Sequence, residues 1–269
     1  MKKLSAAVLS AALILTACGS APAPAANTTD TAPAETTTTT AASFAETTAQ
    51  TTAASSAKAE DVEILNFIPP AEGEEIAVIN IKDYGVIKIK LFPDTLPKAV
   101  ENFKGLIGMN YYDGLTFHRI IPNFMIQGGD PRGTGMGGNS MWGGQFDGGT
   151  ADGLCHFTGA VAYANSGSTA TDGSQFYIVN TPDGYLQYTC EELMAIDPVT
   201  YNFPKNVCDM YTEKGGTPFL DGNYTVFGQV IEGMDVVRKV AAVETDPSND
   251  MPLVPVTMES VRLEEYHAN

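Results

Sequence analysis

Short stretches in which apolar and polar residues alternate run through most of the chain beyond its first quarter, and each predicts a half-buried β-strand. In 86–91, for example, Ile87, Ile89 and Leu91 alternate with two lysines, and an Asp-Tyr-Gly turn joins this stretch to a similar one at 76–81. Further strands are predicted at 117–121, 159–165, 173–179, 219–230 and 257–263.

Two stretches instead have the three- to four-residue apolar spacing of helices that pack on a core. The first is 94–108, where Phe103 and Leu106 belong to the apolar stripe and Asp94 is placed to cap the first turn. The second is 232–243. Many short strands with turn residues between them, together with two helices, favour a β-barrel.

The stretch 117–130, FHRIIPNFMIQGGD, places a charge inside an apolar run. Strand alternation predicts that Phe117, Arg119 and Ile121 share one face. A cation beside apolar surface is costly to bury unless it is paired or used. The pattern therefore predicts a guanidinium next to a hydrophobic hollow, and the alternative is an arginine that snorkels over a core strand.

Three further motifs follow this stretch in order: GAVAYANSG at 159–167, GSQFYIV at 173–179 and FLDGNYTVFGQV at 219–230. The four motifs together resemble the cyclophilin-type peptidyl-prolyl cis/trans isomerases over roughly residues 74–265, and an ordered set is more specific than any single short pattern. The resemblance implies a mainly β fold, a closed eight-stranded antiparallel β-barrel capped by two α-helices. A helical segment is inserted at 183–217, where the family usually has a short connection.

The same resemblance implies the site. Arg119 is the expected catalytic residue, a donor to the prolyl nitrogen when the X–Pro bond twists. The expected substrate-binding residues are Phe124, Met125, Gln127, Ala164, Asn165, Gln175, Tyr177, Phe219, Leu220 and Tyr224. Tyr177 stands where the family more often has phenylalanine, Phe219 replaces the usual tryptophan and Tyr224 replaces the usual histidine. The departures at Phe219 and Tyr224 imply weak cyclosporin binding and leave the substrate preference open, and turnover is expected to be retained.

The first 60 residues have a different character from the rest. Residues 1–18 read as a lipoprotein signal peptide, because a charged start and a short apolar run end in Leu-Thr-Ala-Cys, which resembles a lipobox and implies a lipid on Cys18. The alternative is an ordinary secretory signal in which Cys18 is incidental. Residues 19–60, rich in Thr, Ala and Pro, predict a disordered tether. Residues 61–269 form the expected cyclophilin-like isomerase domain.

Two cysteines, Cys190 and Cys208, lie inside the insertion. Outside the cytoplasm they could close a disulfide that stabilises the fold by about 3 kcal/mol, and the alternative is two unpaired thiols. The cysteines lack CxxC spacing and the three histidines are scattered, so we predict no metal site, and no motif indicates a cofactor. A formal net charge of −17 argues against nucleic acid and anionic lipid as partners.

The sequence therefore predicts a monomeric peptidyl-prolyl isomerase that acts on proline-containing polypeptides. Its expected location is extracytoplasmic, on the bacterial cell membrane, with a lipid on Cys18 as the only membrane contact. There it would help exported or surface proteins to fold. One alternative is a scaffold or holdase that binds proline-containing segments with little catalysis. Another is a structural surface protein in which Arg119 is merely buried and paired.

Overall fold

The structure is a computed structural model, and it describes residues 60–268. The predicted signal peptide 1–18, with Cys18, and the tether up to residue 59 lie outside the described residues. None of the helices within the described range is both long enough and apolar enough to span a lipid bilayer.

Eight antiparallel strands close into a barrel in the order β1-β10-β3-β4-β6-β5-β7-β2, which confirms the predicted architecture. Their bounds are β1 Glu75–Ile81, β2 Gly85–Leu91, β3 Thr116–Ile121, β4 Met125–Gly128, β5 Ala160–Tyr163, β6 Phe176–Val179, β7 Val226–Glu232 and β10 Val256–Glu265. Two short strands, β8 Thr245–Asp246 and β9 Met251–Pro252, form a separate hairpin that the sequence analysis did not predict. Asp83, in the turn between β1 and β2, has a positive φ of 66°, as the Asp-Tyr-Gly turn requires.

The barrel interior is filled by alternate residues of the strands. Ile126 of β4 pairs with Ile120 of β3 and with Ile178 of β6, and all three side chains are fully buried. Because residues that lie opposite each other in paired strands share a face, the neighbouring positions must point the other way, out of the barrel.

Two helices cover the barrel. Helix α1, Pro97–Gly108, buries Phe103, whose ring lies 4.9 Å from that of Phe227, and helix α4, Met234–Ala241, contacts β2, β3 and β4. The predicted cap by Asp94 is wrong, because α1 begins only at Pro97 and Leu96 precedes it without a side-chain cap. A proline favours the first turn of a helix and keeps the preceding residue out of it.

Strand β3 departs from simple alternation. The register of β3 against β4 shifts between Phe117 and Arg119, so His118 is an extra residue in the strand. Phe117 and Ile120 are therefore both buried in the core, whereas Arg119 and Ile121 are both partly exposed. The prediction that Phe117 shares a face with Arg119 is wrong, because a β-bulge re-aims the side chains on either side of it.

The insertion 183–217 contains two helices, α2 Cys190–Ile196 and α3 Lys205–Lys214, as predicted. They form a second small hydrophobic core with Phe157 of the barrel domain. Cys190 and Cys208 lie in this core as thiols and do not form a disulfide. Their side chains are hydrogen-bonded to each other.

The chain segment that precedes the barrel is fixed to the insertion by one residue of α3. The Asn206 backbone N–H donates to Asp61 Oδ1 at 3.1 Å, and the Asn206 side chain donates to the Val62 carbonyl at 2.6 Å. Farther along, the ring of Phe67 lies 5.3 Å from that of Phe157. The described chain therefore enters the domain on the side of the insertion.

Candidate active site

A row of residues on the outer face of the barrel holds three of the predicted site residues. Arg119 of β3 pairs with Gln127 of β4, which pairs in turn with Tyr177 of β6. Because opposite residues of antiparallel strands place their side chains on one face, these three side chains are neighbours. Met125 lies two positions from Gln127 in β4 and so belongs to the same face.

Gln127 is held in place by Gln175. Gln127 Nε2 donates to Gln175 Oε1 at 2.9 Å, and Gln175 Nε2 donates to the carbonyls of Gly135 and Gly137 at 3.0 and 2.7 Å. The oxygen Oε1 of Gln127 is buried and has no hydrogen-bond partner among residues 60–268. A buried acceptor without a partner is costly, so this oxygen is available to a donor on an incoming molecule or to the neighbouring guanidinium.

Arg119 makes an ion pair that the sequence analysis missed. Its Nε donates to Asp250 Oδ2 at 3.3 Å, and the two side chains are 23% and 38% exposed. This is the one hydrogen bond of the Arg119 side chain within the described part of the chain, so both terminal nitrogens keep their N–H donors. Asp250 therefore orients the guanidinium without using the N–H donors of its terminal nitrogens.

An aromatic wall stands beside this row. Phe124 lies in the turn between β3 and β4, and its ring stacks on that of Phe219 with 6.1 Å between the centroids. Phe219 and Leu220 belong to a single turn of 3-10 helix, Pro218–Leu220, which precedes β7 and replaces the first part of the strand predicted at 219–230. Both phenylalanine side chains are only partly buried, so the wall faces outward.

Two tyrosines, Tyr177 and Tyr224, lie next to each other in the site. The rings of Tyr177 and Tyr224 lie 6.1 Å apart at nearly right angles. The Tyr177 hydroxyl is buried and lacks a hydrogen-bond partner among the described residues, and burial raises its pKa well above the ordinary value. Burial also raises the pKa of Tyr224, against an opposing effect of the Arg119 charge, which places Tyr224 within electrostatic reach of the guanidinium.

Ala164 and Asn165 leave β5 at the far side of the row. The Ala164 backbone N–H donates to the Gln175 carbonyl at 2.9 Å, so this segment is joined to the Gln127–Gln175 pair. The Asn165 side chain donates to Asp172 Oδ1 and to the Asn223 carbonyl, each at 3.1 Å. The Asn165 amide therefore has a structural role in fixing the loop that precedes β7.

The barrel topology thus brings the eleven predicted residues into one region, although they come from four separate motifs of the sequence. A family model described as cyclophilin type peptidyl-prolyl cis-trans isomerase/CLD matches residues 76–263. The chain belongs to this family. It is therefore a peptidyl-prolyl cis-trans isomerase of the cyclophilin type.

Relatives and solved structures agree with this family. A Staphylococcus aureus protein named "Putative peptidyl-prolyl cis-trans isomerase" is 43% identical over 191 residues, 71% of this chain and 93% of the relative. A Staphylococcus epidermidis protein of the same name is 41% identical over 194 residues, 72% of this chain and 94% of the relative. The match leaves 29% of this cyclophilin uncovered in the first case and 28% in the second.

Among solved structures, the chain resembles a cyclophilin type peptidyl-prolyl cis-trans isomerase of Cryptosporidium parvum, crystallised in the presence of the dipeptide Ala-Pro. The TM-score is 0.55 and the sequence identity 28%, with 72% of this chain and 99% of the other covered. A second structure of the Cryptosporidium protein gives a TM-score of 0.56 with 28% identity, and covers 72% of this chain and 98% of that chain.

Within residues 60–268, the site of this cyclophilin can act on a substrate through hydrogen bonds and shape complementarity. No three His, Cys, Asp or Glu side chains in that range converge as metal ligands. The site instead offers a fixed cation with spare N–H donors, a buried amide oxygen and an aromatic wall. A catalyst of amide rotation needs no more, because no covalent bond is broken.

Proposed function

We propose that Arg119 is the catalytic residue and that the proline ring of the substrate lies against Phe124, Met125 and Leu220. Resonance between the prolyl nitrogen and the carbonyl gives the X–Pro bond a rotation barrier of about 18–20 kcal/mol. When the bond twists, the lone pair localises on the nitrogen and becomes a hydrogen-bond acceptor. A terminal N–H of Arg119 that reaches this nitrogen stabilises the twisted form and not the planar forms, and that difference accelerates rotation.

The single observation that carries this assignment is the hydrogen bonding of Arg119. Asp250 restrains the guanidinium through Nε only, and the terminal nitrogens remain free to donate within the described part of the protein. A preorganised donor needs little rearrangement at the moment of reaction, so its full interaction energy serves the transition state. The buried Oε1 of Gln127, next to Arg119 in the sheet, can hold one of those nitrogens in place.

The polypeptide on either side of the proline docks along Ala164 and Asn165 in this proposal. Both residues follow directly on β5, where an extended chain can add main-chain hydrogen bonds in the manner of an extra strand. Gln175 then orients Gln127 and fixes the glycine-containing loop beside it. The Ala-Pro dipeptide used with the Cryptosporidium parvum structure supports a proline-containing ligand for this site.

The test of the catalytic assignment is a proline-peptide isomerisation assay on the purified chain. Replacing Arg119→Ala removes the donor and is expected to lower kcat/KM by roughly a hundredfold or more. The matched control is Arg238→Ala, which removes an exposed arginine of α4 that is not among the predicted site residues. If the two variants isomerised the peptide at equal rates, binding without arginine-dependent catalysis, as in a scaffold or holdase, would describe the protein better.

We further propose that this isomerase works outside the cytoplasm, anchored by a lipid on Cys18, and assists the folding of exported or surface proteins. The support is the sequence of residues 1–18, a charged and apolar start that ends in Leu-Thr-Ala-Cys, and the low-complexity stretch that follows it. A cysteine-linked lipid binds a membrane through its buried methylene groups.

The location has its own test. In cells that express the full chain, Cys18→Ser is expected to release the protein from the membrane fraction, whereas Cys155→Ser, at a buried cysteine of the domain, is expected to leave it there. Continued membrane association of the Cys18→Ser protein would contradict the lipid anchor without bearing on catalysis.

A further inference from the structure

The insertion and the active site together form a cleft that neither would form alone. The cleft has a volume of about 480 Å³. The insertion contributes Tyr188, Leu193 and Ile196 to its lining, and the active-site side contributes Phe219, Leu220 and Tyr224. A volume of this size can hold a large side chain with the backbone on either side of it.

Aromatic rings connect the cleft to the proposed proline position without interruption. The ring of Phe219 stacks on Phe124 at 6.1 Å and meets the ring of Tyr188 edge-on at 6.2 Å. Phe219 is thus shared between the two sites. Two steps of about 6 Å give a span of at most about 12 Å, which an extended chain covers in three to four residues at about 3.3–3.6 Å per residue.

The exposed apolar side chains of the insertion need an explanation. Ile196 is 69% exposed and Tyr188 is 37% exposed, both at the cleft. The helix between them is well fixed, because Thr189 and Glu192 form a capping box at its start and Leu193 is buried in the core of the insertion. Apolar groups held in a fixed position at a concave surface are typical of a binding site.

The charge of the cleft limits what it binds. None of the residues that line it carries a charge, whereas the whole chain has a formal net charge of −17. An uncharged, aromatic cleft gives no counter-ion to an acidic or basic side chain and gives favourable ring contacts to an aromatic one.

We propose that this cleft is an accessory subsite of the isomerase, which binds a large apolar side chain, best an aromatic one, located three or four residues from the proline of the same polypeptide. The proposal rests on the placement of the proline ring beside Phe124. It makes the insertion a selectivity element, since substrate segments that carry an aromatic residue at this distance bind more tightly than others. This description fits proline-containing segments of unfolded proteins that become part of a hydrophobic core when the protein folds.

The test compares matched peptides on the full chain. Each peptide contains one proline and has either phenylalanine or alanine three or four residues away, on one side or the other. We expect kcat/KM to be roughly tenfold higher for phenylalanine on one side, from partial burial of the ring. Ile196→Glu, which puts a charge into the cleft, is expected to reduce this phenylalanine-to-alanine ratio to near one.

Two matched controls come from the insertion itself. Val199→Glu adds the same charge at a residue that is 91% exposed and does not line the cleft, and it is expected to keep the ratio. Likewise Tyr188→Ala is expected to reduce the ratio, and Tyr185→Ala, outside the cleft, to keep it. The proposal is overturned if the wild-type chain shows no preference, or if the cleft variants keep the preference.

Other outcomes remain distinguishable. If the wild-type chain isomerised neither peptide, the proposed catalytic site would fail, and not only the subsite. Sedimentation of the wild-type chain and of Ile196→Glu addresses a second copy of the protein as the occupant. If the wild-type chain sedimented as a dimer and Ile196→Glu as a monomer, and the peptide ratio were unchanged, the cleft would be a self-association surface. That outcome would overturn the subsite.

Discussion

Arg119 and Asp250 form an ion pair between strand β3 and the β8–β9 hairpin, with 3.3 Å between Nε and Oδ2. The same hairpin also binds the strand itself, because the Ile120 N–H donates to the Asp250 carbonyl at 2.9 Å. Asp250 has a positive φ of 59°, a conformation that aspartate and asparagine adopt more readily than most residues. One residue of the hairpin therefore fixes both the backbone of β3 and the orientation of its arginine.

Asp250→Asn tests whether this orientation matters for catalysis. Asparagine tolerates the same backbone conformation but loses the charge, so we expect kcat/KM for a proline peptide to fall several-fold with little change in melting temperature. The small effect on stability follows because partly exposed ion pairs contribute only about 0–1 kcal/mol. Asp209→Asn, which breaks the exposed Lys205–Asp209 pair in the insertion, is the control. An unchanged kcat/KM would show that Arg119 needs no help from Asp250.

Gln175→Ala tests the support of Gln127 and the neighbouring loop. The substitution removes the donor to the Gly135 and Gly137 carbonyls and the acceptor for Gln127. We expect faster amide hydrogen exchange across residues 133–138 and a lower kcat/KM. Gln145→Ala, at an exposed glutamine, should change neither quantity. Unaltered exchange in the loop would mean that other contacts hold it.

Tyr177→Phe is expected to stabilise the protein. The Tyr177 hydroxyl is buried without a partner among the described residues, so its removal should raise the free energy of unfolding by about 1–3 kcal/mol. Tyr163→Phe provides the contrast, because the Tyr163 hydroxyl donates to the Ala99 carbonyl at 2.9 Å, and its loss should lower stability. Thermal and urea unfolding measure both effects. A destabilised Tyr177→Phe protein would reveal a partner for the hydroxyl.

Asp172 is expected to make stability fall as the pH rises. Burial raises the pKa of Asp172 from 3.8 to about 7, the Asp147 charge adds to this effect, and hydrogen bonds from Thr225 and Asn165 oppose it. Between pH 4 and 7 the folded state therefore binds more protons than the unfolded state, so the free energy of unfolding decreases with increasing pH. Asp172→Asn should flatten this part of the profile.

Urea unfolding at several pH values between 4 and 8 measures the Asp172 effect. The exposed Asp209→Asn variant serves as the reference, because it should keep the wild-type slope. If the free energy of unfolding of Asp172→Asn changed with pH as steeply as that of the wild type, the titrating group would be another residue.

Most of the barrel could be predicted because its strands obey local rules. Ile87, Ile89 and Leu91 are all buried, as their alternation with lysines indicated, and the insertion 183–217 is helical, as expected. The register that brings Arg119 next to Gln127 and Tyr177 was not visible in local patterns. It was accessible only through the resemblance to cyclophilins.

The features that escaped prediction depend on contacts between distant segments. Asp250 is 131 residues from Arg119, and nothing in its surroundings indicates that its hairpin binds β3. The bulge at His118 places Phe117 in the core on the opposite face from Arg119, and simple alternation does not predict a bulge. Tyr188 gave no signal either, because the insertion has no counterpart in the family pattern.

The attachment of the Asp61–Val62 segment to Asn206 has a mechanical consequence. Any tension transmitted along the chain toward the domain reaches the fold first at α3, through the hydrogen bonds of Asn206 to Asp61 and Val62, before it reaches a barrel strand. Helix α3 packs with α2, which carries Ile196 of the cleft. A pull on the polypeptide ahead of Asp61 would therefore deform the insertion while the closed barrel, with Arg119 in it, keeps its shape.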